Sequence, residues 1–253
     1  MDEDVYNFDE TGFAMGVASS GSSKVVTTAT VGCATVIQPG DCKWVTTIEC
    51  VNATGWCLPP FIILEGKVHL ESWYQQNSSL PSDWAITVSD NGWTTNELGC
   101  RWIGHFEKHT KSCTIGTHHL LILDGHGSHA TPEFDQFCSE KLIVTLCMPS
   151  HSSHLLQPLD VACFSPLKTA YSKLVQQLAC NGIFHVDKTD FLANYQQAQP
   201  AIHSKQNIIS GFCATGLIPF NPEHIEQITC MRHDITGSLH KGTGGRNGSG
   251  CID

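Results

Sequence analysis

The sequence predicts an α/β fold in which a mixed β-sheet is flanked by helices. Short, fully apolar runs at 120–123 and 142–146 have the length and composition of buried strands. Elsewhere apolar residues recur at helical spacing, most clearly within 167–178. Along the chain the predicted order is strand, hairpin, helix, strand, helix, strand, helix. This alternation indicates a sheet with helices packed against it.

The N-terminal part is predicted to supply three strands. Residues 5–8 are β-prone and run into Asp, Glu, Thr and Gly at 9–12, which predicts a strand followed by a turn. Two further strand-like runs, 44–51 and 56–64, are separated by the turn residues 52–55. This pattern is typical of a β-hairpin.

The middle and C-terminal parts are predicted to be richer in helix. Thr94 and Glu97 form a capping-box pattern, which predicts a helix that runs to about residue 110. In chain order the next predicted elements are the buried strand at 120–123, a helix over 132–141, a second buried strand over 142–146, a helix over 167–178 and helical structure over 189–212.

Composition excludes several classes of protein. The chain has 253 residues, 41% of them hydrophobic, which is too apolar for a disordered chain. No run approaches the roughly 18 apolar residues of a membrane span, and the acidic start at 1–4 is unlike a signal peptide. The 13 cysteines lack a CxxC pair, which favours reduced thiols inside a cell. A net charge of -10 argues against binding driven only by phosphate attraction.

Three aspartates occupy positions typical of a metal-dependent site. Asp9 and Asp124 follow predicted strands, and Asp160 opens a predicted helix. If the two strands are neighbours, their carboxyl ends bring Asp9 and Asp124 together. Clustered carboxylates suit Mg²⁺, which prefers oxygen ligands. The alternative is that each is a turn or cap residue, with Asp160 an ordinary N-cap, and spacing alone does not decide between the two interpretations.

Three blocks of sequence resemble the DDE superfamily endonuclease domain. They are YNFDETGF at 6–13, LILDGH at 121–126 and the segment 149–160, and they are similar to the signature blocks of the pogo and jerky branch of mariner-related transposases, of fungal type. The segments WCLPPFI, NGWTTNE and GLIPF also resemble this family. The resemblance covers roughly residues 4–225 in the family's order.

The resemblance implies a fold, a chemistry and partners. It implies a ribonuclease-H-like mixed sheet flanked by helices, with Asp9, Asp124 and Asp160 as both the catalytic and the metal-binding residues. The implied cofactor is Mg²⁺ or Mn²⁺, and the implied reaction is cleavage at transposon ends followed by attack of the freed 3′-hydroxyl on target DNA. DNA is therefore the expected partner, in the nucleus, with no membrane association and with a homo-oligomer as a family-level expectation.

The resemblance also divides the chain and adds secondary candidates. We expect a catalytic domain at 1–188, a helical extension with a closing loop at 189–235 and a disordered Gly-rich tail at 236–253. The polar candidates for lining the cleft are Glu10, His126, His154 and Gln157. The candidate contacts to nucleic acid are Lys24, Lys43 and Lys168. Two H-x₂-H pairs, at 126–129 and 151–154, allow a zinc site, but polar lining is favoured because no cysteine stands at zinc-finger spacing.

A second class of function stays open. Family members carry a helix-turn-helix region before the catalytic domain, and this chain starts eight residues before Asp9, so we expect recognition of transposon ends to be missing. The chain has only three arginines against 13 cysteines and 14 histidines, the skew that transitions at arginine codons would produce. The alternative is therefore a decayed or domesticated module that binds nucleic acid or protein without catalysis.

Overall fold

The computed structural model describes residues 1–15, 43–70, 73, 80–124, 131–149, 152–183, 185–202 and 204–224. The strands are β1 Val5–Ala14, β2 Trp44–Asn52, β3 Phe61–Glu65, β4 Ala85–Ser89, β5 His119–Leu123 and β6 Ile143–Cys147. The α-helices are α1 Asn96–Thr110, α2 Pro132–Glu140, α3 Ser153–Leu156, α4 Phe164–Cys180, α5 Lys188–Ala198 and α6 Lys205–Ala214. A π-helical turn, Leu159–Cys163, leads directly into α4, and 3₁₀ segments occupy Asp2–Asp4 and Gln199–Ala201.

The strands form one six-stranded sheet in the order β4-β3-β2-β1-β5-β6. Neighbours β1/β2 and β2/β3 are antiparallel, whereas β3/β4, β1/β5 and β5/β6 are parallel. The predicted mixed sheet is therefore confirmed, and so is the hairpin of β2 and β3. Strand β4 was not predicted, and β3 begins at Phe61 rather than at Trp56 because Pro59 and Pro60 cannot donate ladder hydrogen bonds.

Helices cover both faces of the sheet. On one face a core joins β1 and β2 to α4, α5 and α6, with Phe13, Tyr171 and Tyr195 among its buried side chains. On the other face a second core joins the sheet to α1 and α2 around Trp102 and Phe134. The strands alternate their side chains between these cores, so the central strand β1 is covered on both sides.

The expected turn at 9–12 is wrong, because β1 continues to Ala14. Every residue from Tyr6 to Ala14 pairs with β2 in an unbroken antiparallel register. Gly12 allows this continuation, since a Cβ there would lie 2.0 Å from the ring of Trp44. Gly12 is therefore required for packing within the strand, and Asp9 lies in the middle of β1 rather than at its end.

The start of α1 also differs from its prediction by one residue. The N-cap is Thr95, whose hydroxyl accepts a hydrogen bond from the Leu98 backbone N–H at 3.3 Å. The predicted Thr94–Glu97 capping box is absent, because Thr94 lies one residue before the cap. The predicted end near residue 110 is confirmed at Thr110.

Strand β6 is an edge strand and not the buried strand that its apolar run predicted. It pairs only with β5, and the side chains of Val144 and Leu146 are 50% and 47% exposed. Ile143 is the residue of this strand that is buried. An apolar run predicts a strand, but whether that strand lies at the edge or in the middle depends on the order of strands in the sheet.

The predicted helical stretch 189–212 consists of two helices. The capping box of Asp187 and Asp190 starts α5 at Lys188, and the segment around Pro200 separates α5 from α6. Both helices share the core that contains β1, so the division of the chain at residue 188 stays a prediction. The Gly-rich tail at 236–253 lies outside the described residues. No helix in the described part of the chain has the length and apolar character needed to cross a membrane.

Candidate active site

Strands β1 and β5 place Asp9 and Asp124 side by side. The two strands are parallel neighbours, and Asn7 is the register partner of Ile122. Two residues further along, the same register brings Asp9 level with Asp124, which follows the last residue of β5. The condition under which Asp9 and Asp124 come together, that their strands are neighbours, is therefore met.

Asp160 reaches the same region on the π-helical turn. It is the second residue of this turn, after Leu159, and the N-cap position belongs to Pro158. The alternative that Asp160 is an ordinary N-cap is therefore wrong. The turn is held from behind by α6, where Gly211 has no Cβ that would approach the carbonyl oxygen of Pro158 to 2.8 Å.

The surroundings of Asp9 and Asp160 raise the pKa values of both carboxyl groups. Burial, together with the charges of Asp160 and Asp124, raises the pKa of Asp9 from 3.8 to about 8. Burial also raises the pKa of Asp160, although nearby Lys168 and His154 act in the opposite direction. Like charges have these effects only across short distances, so the three aspartates face a common space.

The donor set suits a hard divalent cation. Carboxylate oxygens are the ligands that Mg²⁺ and Mn²⁺ prefer, and a cation would offset both the burial and the repulsion that raise the pKa of Asp9. Within the described ranges, no group of three or more His, Cys, Asp or Glu side chains is arranged to hold a metal ion. The three aspartates thus fit the cation by the chemistry of their oxygen atoms but not by their present spacing. Binding the cation would require the three carboxylates to move closer together.

Two buried amides surround these aspartates. Asn7 is fully buried, and its Nδ2 donates to the Ile122 carbonyl while its Oδ1 accepts from the Leu159 N–H, both at 3.1 Å. Gln157 is also fully buried, and its side chain hydrogen-bonds the Asp9 carboxylate. Gln157 was expected at this site, whereas Asn7 was missed. The available signal was an asparagine between Tyr6 and Phe8, since asparagine is depleted in strands.

A fourth carboxylate, Glu49, lies directly across from Asp9 on β2. It is 1% exposed, and the hydroxyl of Tyr195 donates a hydrogen bond to its Oε1. Burial raises the pKa of Glu49 to about 7, although the hydrogen bond from Tyr195 lowers it. Sequence reasoning also missed this residue. A charged residue within the apolar run 44–51 was the signal that could have found it.

The remaining candidates are distributed unevenly. His154 and Lys168 lie close enough to Asp160 to influence its pKa. Glu10 lies on the opposite face of the sheet from Asp9, because neighbouring residues of a strand point to opposite sides. Lys43 lies far from the site: its carbonyl pairs with the N–H of Met15, six residues beyond Asp9 and roughly 20 Å along the strand. Lys24, His126, His129 and His151 lie outside the described residues.

Two curated proteins resemble parts of the chain. "MFS-type transporter clz9" of Cochliobolus lunatus is 47% identical over 228 residues, which are 88% of this chain and 24% of that protein. "Chaetoglobosin A biosynthesis cluster protein C" of Chaetomium globosum is 36% identical over 56 residues, which are 22% of this chain and 14% of that protein. The chain thus spans about a quarter or less of the length of these relatives.

The solved structures and the family comparison agree on the fold. The Mos1 Strand Transfer Complex matches with a TM-score of 0.51 at 10% identity, over 89% of this chain and 55% of that chain. This match confirms the expected ribonuclease-H-like fold. The family described as "DDE superfamily endonuclease" matches residues 41–212, which include Asp124 and Asp160 but not Asp9. The match covers more than half of the chain, which therefore belongs to the DDE superfamily endonuclease family.

Proposed function

We propose that this chain is the catalytic core of a DDE-type transposase that cleaves DNA strands with the help of divalent metal ions. The observation that carries the proposal is the convergence of Asp9, Asp124 and Asp160 from β1, β5 and the π-helical turn. Three neighbouring carboxylates that are all ionised repel one another, and a bound cation would offset this repulsion. Membership of the DDE endonuclease family supports the same reaction class.

We assign separate roles in this reaction to the aspartates and to the polar residues around them. Asp9, Asp124 and Asp160 would hold Mg²⁺ or Mn²⁺, which when bound activates the attacking oxygen and stabilises the leaving oxygen of a phosphodiester. Gln157 lies close enough to Asp9 to lower the pKa of its carboxyl, against the larger effect of burial. Lys168 adds positive charge beside Asp160, and His154 lies close to the same carboxylate, where a DNA phosphate would approach.

In the cleavage step, one phosphorus–oxygen bond forms and one breaks. Water forms a bond to phosphorus, the bond from phosphorus to the 3′-oxygen breaks, and that oxygen takes a proton. The products are a 3′-hydroxyl and a 5′-phosphate. In the strand-transfer step that we propose to follow, the freed 3′-hydroxyl bonds to a phosphorus of target DNA, the bond from that phosphorus to its own 3′-oxygen breaks, and the proton of the hydroxyl passes to the released oxygen. We propose DNA as the partner, the nucleus as the location, and a homo-oligomer that pairs two DNA ends.

A nicking assay tests this proposal. Supercoiled plasmid is incubated with the protein and Mg²⁺ or Mn²⁺, alongside Asp124→Asn and the control Asp135→Asn, which makes the same change at an exposed position in the first turn of α2. We expect the wild type and the control to nick the plasmid only when metal is present. We expect Asp124→Asn to be inactive. Nicking that continues in Asp124→Asn, or in the presence of EDTA, would contradict the proposal.

The second candidate is a non-catalytic module that keeps the fold and binds DNA or protein. The low arginine content favours it, because Arg supplies the bidentate contacts that phosphate recognition prefers. The same assay separates the two functions when a DNA-binding measurement is added. Wild-type protein that is folded by circular dichroism and binds DNA, but does not nick it under any metal condition, would support this second function.

A further inference from the structure

Asn7 contacts each of the three chain segments that carry the candidate catalytic aspartates. It belongs to β1, two residues before Asp9. Its Nδ2 donates to the carbonyl of Ile122, two residues before Asp124. Its Oδ1 accepts from the N–H of Leu159, the residue before Asp160. One side chain thus joins all three segments close to their functional residues.

The surroundings of Asn7 leave it little freedom to move. The side chain is 0% exposed. Its amide donates to the Ile122 carbonyl and accepts from the Leu159 N–H, each at 3.1 Å. A third, weaker contact joins its Nδ2 to the Phe8 carbonyl at 3.4 Å. A buried amide that lost these partners would leave unpaired polar groups, so the three bonds favour one arrangement of the segments.

Gln157 completes the connection in the opposite direction. It lies just before the π-helical turn and reaches back to β1, where its Nε2 lies 3.5 Å from the Phe8 carbonyl and its amide contacts Asp9. The strand therefore holds the turn through Asn7, and the turn holds the strand through Gln157. The nitrogen and the oxygen of the Asn7 amide are both engaged by backbone groups, so Asn7 acts on the site through the segments that it joins.

We propose that Asn7 is the positioning residue of this site, which holds β1, β5 and the π-helical turn in the arrangement that lets Asp9, Asp124 and Asp160 share a divalent cation. This inference rests on the proposed function, because it assigns Asn7 a role in metal binding. Asn7 is not a catalytic residue, since its amide hydrogen-bonds the backbone of neighbouring segments. Hydrogen-bonding partners of this kind affect metal affinity by about 10–100-fold in other metal sites.

Asn52 provides a matched control. It is also a strand asparagine, 3% exposed, and it donates to the Glu3 carbonyl and accepts from the Thr54 N–H. Asn52 pairs with Tyr6 of β1 in the sheet, but its side-chain hydrogen bonds to Glu3 and Thr54 do not join β1 to β5 or to the π-helical turn. Asn7→Ala and Asn52→Ala therefore remove the same buried group, but only the first removes the link between the segments. Asn7→Ser replaces Asn7→Ala if the alanine variant does not fold.

Two measurements on the full chain test the role of Asn7. Hydrogen–deuterium exchange of 157–163 without metal, compared with exchange in β3 of the same protein, reports on the link itself. Titration with Mn²⁺, followed by electron paramagnetic resonance, reports on the site. We expect exchange in 157–163 to increase selectively in Asn7→Ala, and the Kd for Mn²⁺ to rise by about tenfold or more. We expect neither change in Asn52→Ala.

Each outcome decides one of the two proposals. Equal behaviour of the two variants, or faster exchange with an unchanged Kd for Mn²⁺, would overturn the role of Asn7. If the wild type binds no Mn²⁺, the proposed metal-dependent function fails. The exchange measurement then still decides whether Asn7 fixes the turn: selective exchange of 157–163 supports the link, and its absence overturns it.

Discussion

The raised pKa of Asp9 predicts an unusual dependence of stability on pH in the metal-free protein. The pKa of this carboxyl is about 8 in the folded state, against 3.8 for a free aspartate. Between these values the folded state binds a proton that the unfolded state has released. The free energy of unfolding therefore falls as the pH rises through this interval and becomes constant above it. Asp9→Asn removes the ionisable group and should remove this loss of stability.

The size of the effect follows from the shift in pKa. A shift of about four units corresponds to about 5 kcal/mol at 1.36 kcal/mol for each unit, and this is an upper limit. Because Asp9 keeps some contact with solvent, we expect Asp9→Asn to gain about 2–3 kcal/mol over wild type near pH 8.5. Near pH 5 the wild-type carboxyl is protonated in the folded state, so we expect the two proteins to differ by less than about 1 kcal/mol.

Urea unfolding in EDTA at the two pH values measures this difference. Glu49 has a raised pKa of about 7 and contributes with the same sign, but it is present in both proteins and cancels in the comparison. Asp83→Asn changes an exposed aspartate and serves as the control. If Asp9→Asn gained no more stability near pH 8.5 than Asp83→Asn, the conclusion that burial and the neighbouring aspartates raise the pKa of Asp9 would be refuted.

Two further predictions concern local structure. Gly12→Ala should lower the free energy of unfolding by about 1–3 kcal/mol, because the added Cβ would displace the Trp44 ring, and an unchanged urea midpoint would contradict this. Thr95→Ala should cost about 1 kcal/mol through loss of the cap on Leu98, whereas Thr94→Ala should cost much less. The opposite order of these two stabilities would show that the predicted capping box is correct after all.

Local patterns in the sequence predicted most elements but not their neighbours in the sheet. The helical spacing in α4 and the apolar run of β5 were sufficient to predict a helix and a buried strand, because the first pattern reflects burial of one helix face and the second burial of a whole strand. The exposure of β6 could not be predicted, since it depends on which strand pairs beside it. The continuation of β1 through Asp9 and Gly12 depends on pairing with β2, which no short window of sequence contains.

In the candidate site, too, local sequence motifs identified some residues, whereas others depend on contacts between distant parts of the chain. The motif blocks pointed to Asp9, Asp124 and Asp160, and the fold brings their segments together. Asn7 could not be recognised as their link, because its partners Ile122 and Leu159 lie 115 and 152 residues away along the chain. Such a role depends on the fold as a whole, whereas the aspartates are visible from the type and order of residues alone.

The most direct test of the central claim is a titration of metal-free protein with Mn²⁺, measured for wild type, Asp124→Asn and Asp135→Asn. If Asp9, Asp124 and Asp160 together hold a divalent cation, wild type and Asp135→Asn should bind Mn²⁺ with equal affinity, and Asp124→Asn should bind at least about tenfold more weakly. Equal binding by all three proteins, or no binding by the wild type, would contradict the claim that these aspartates form a metal centre.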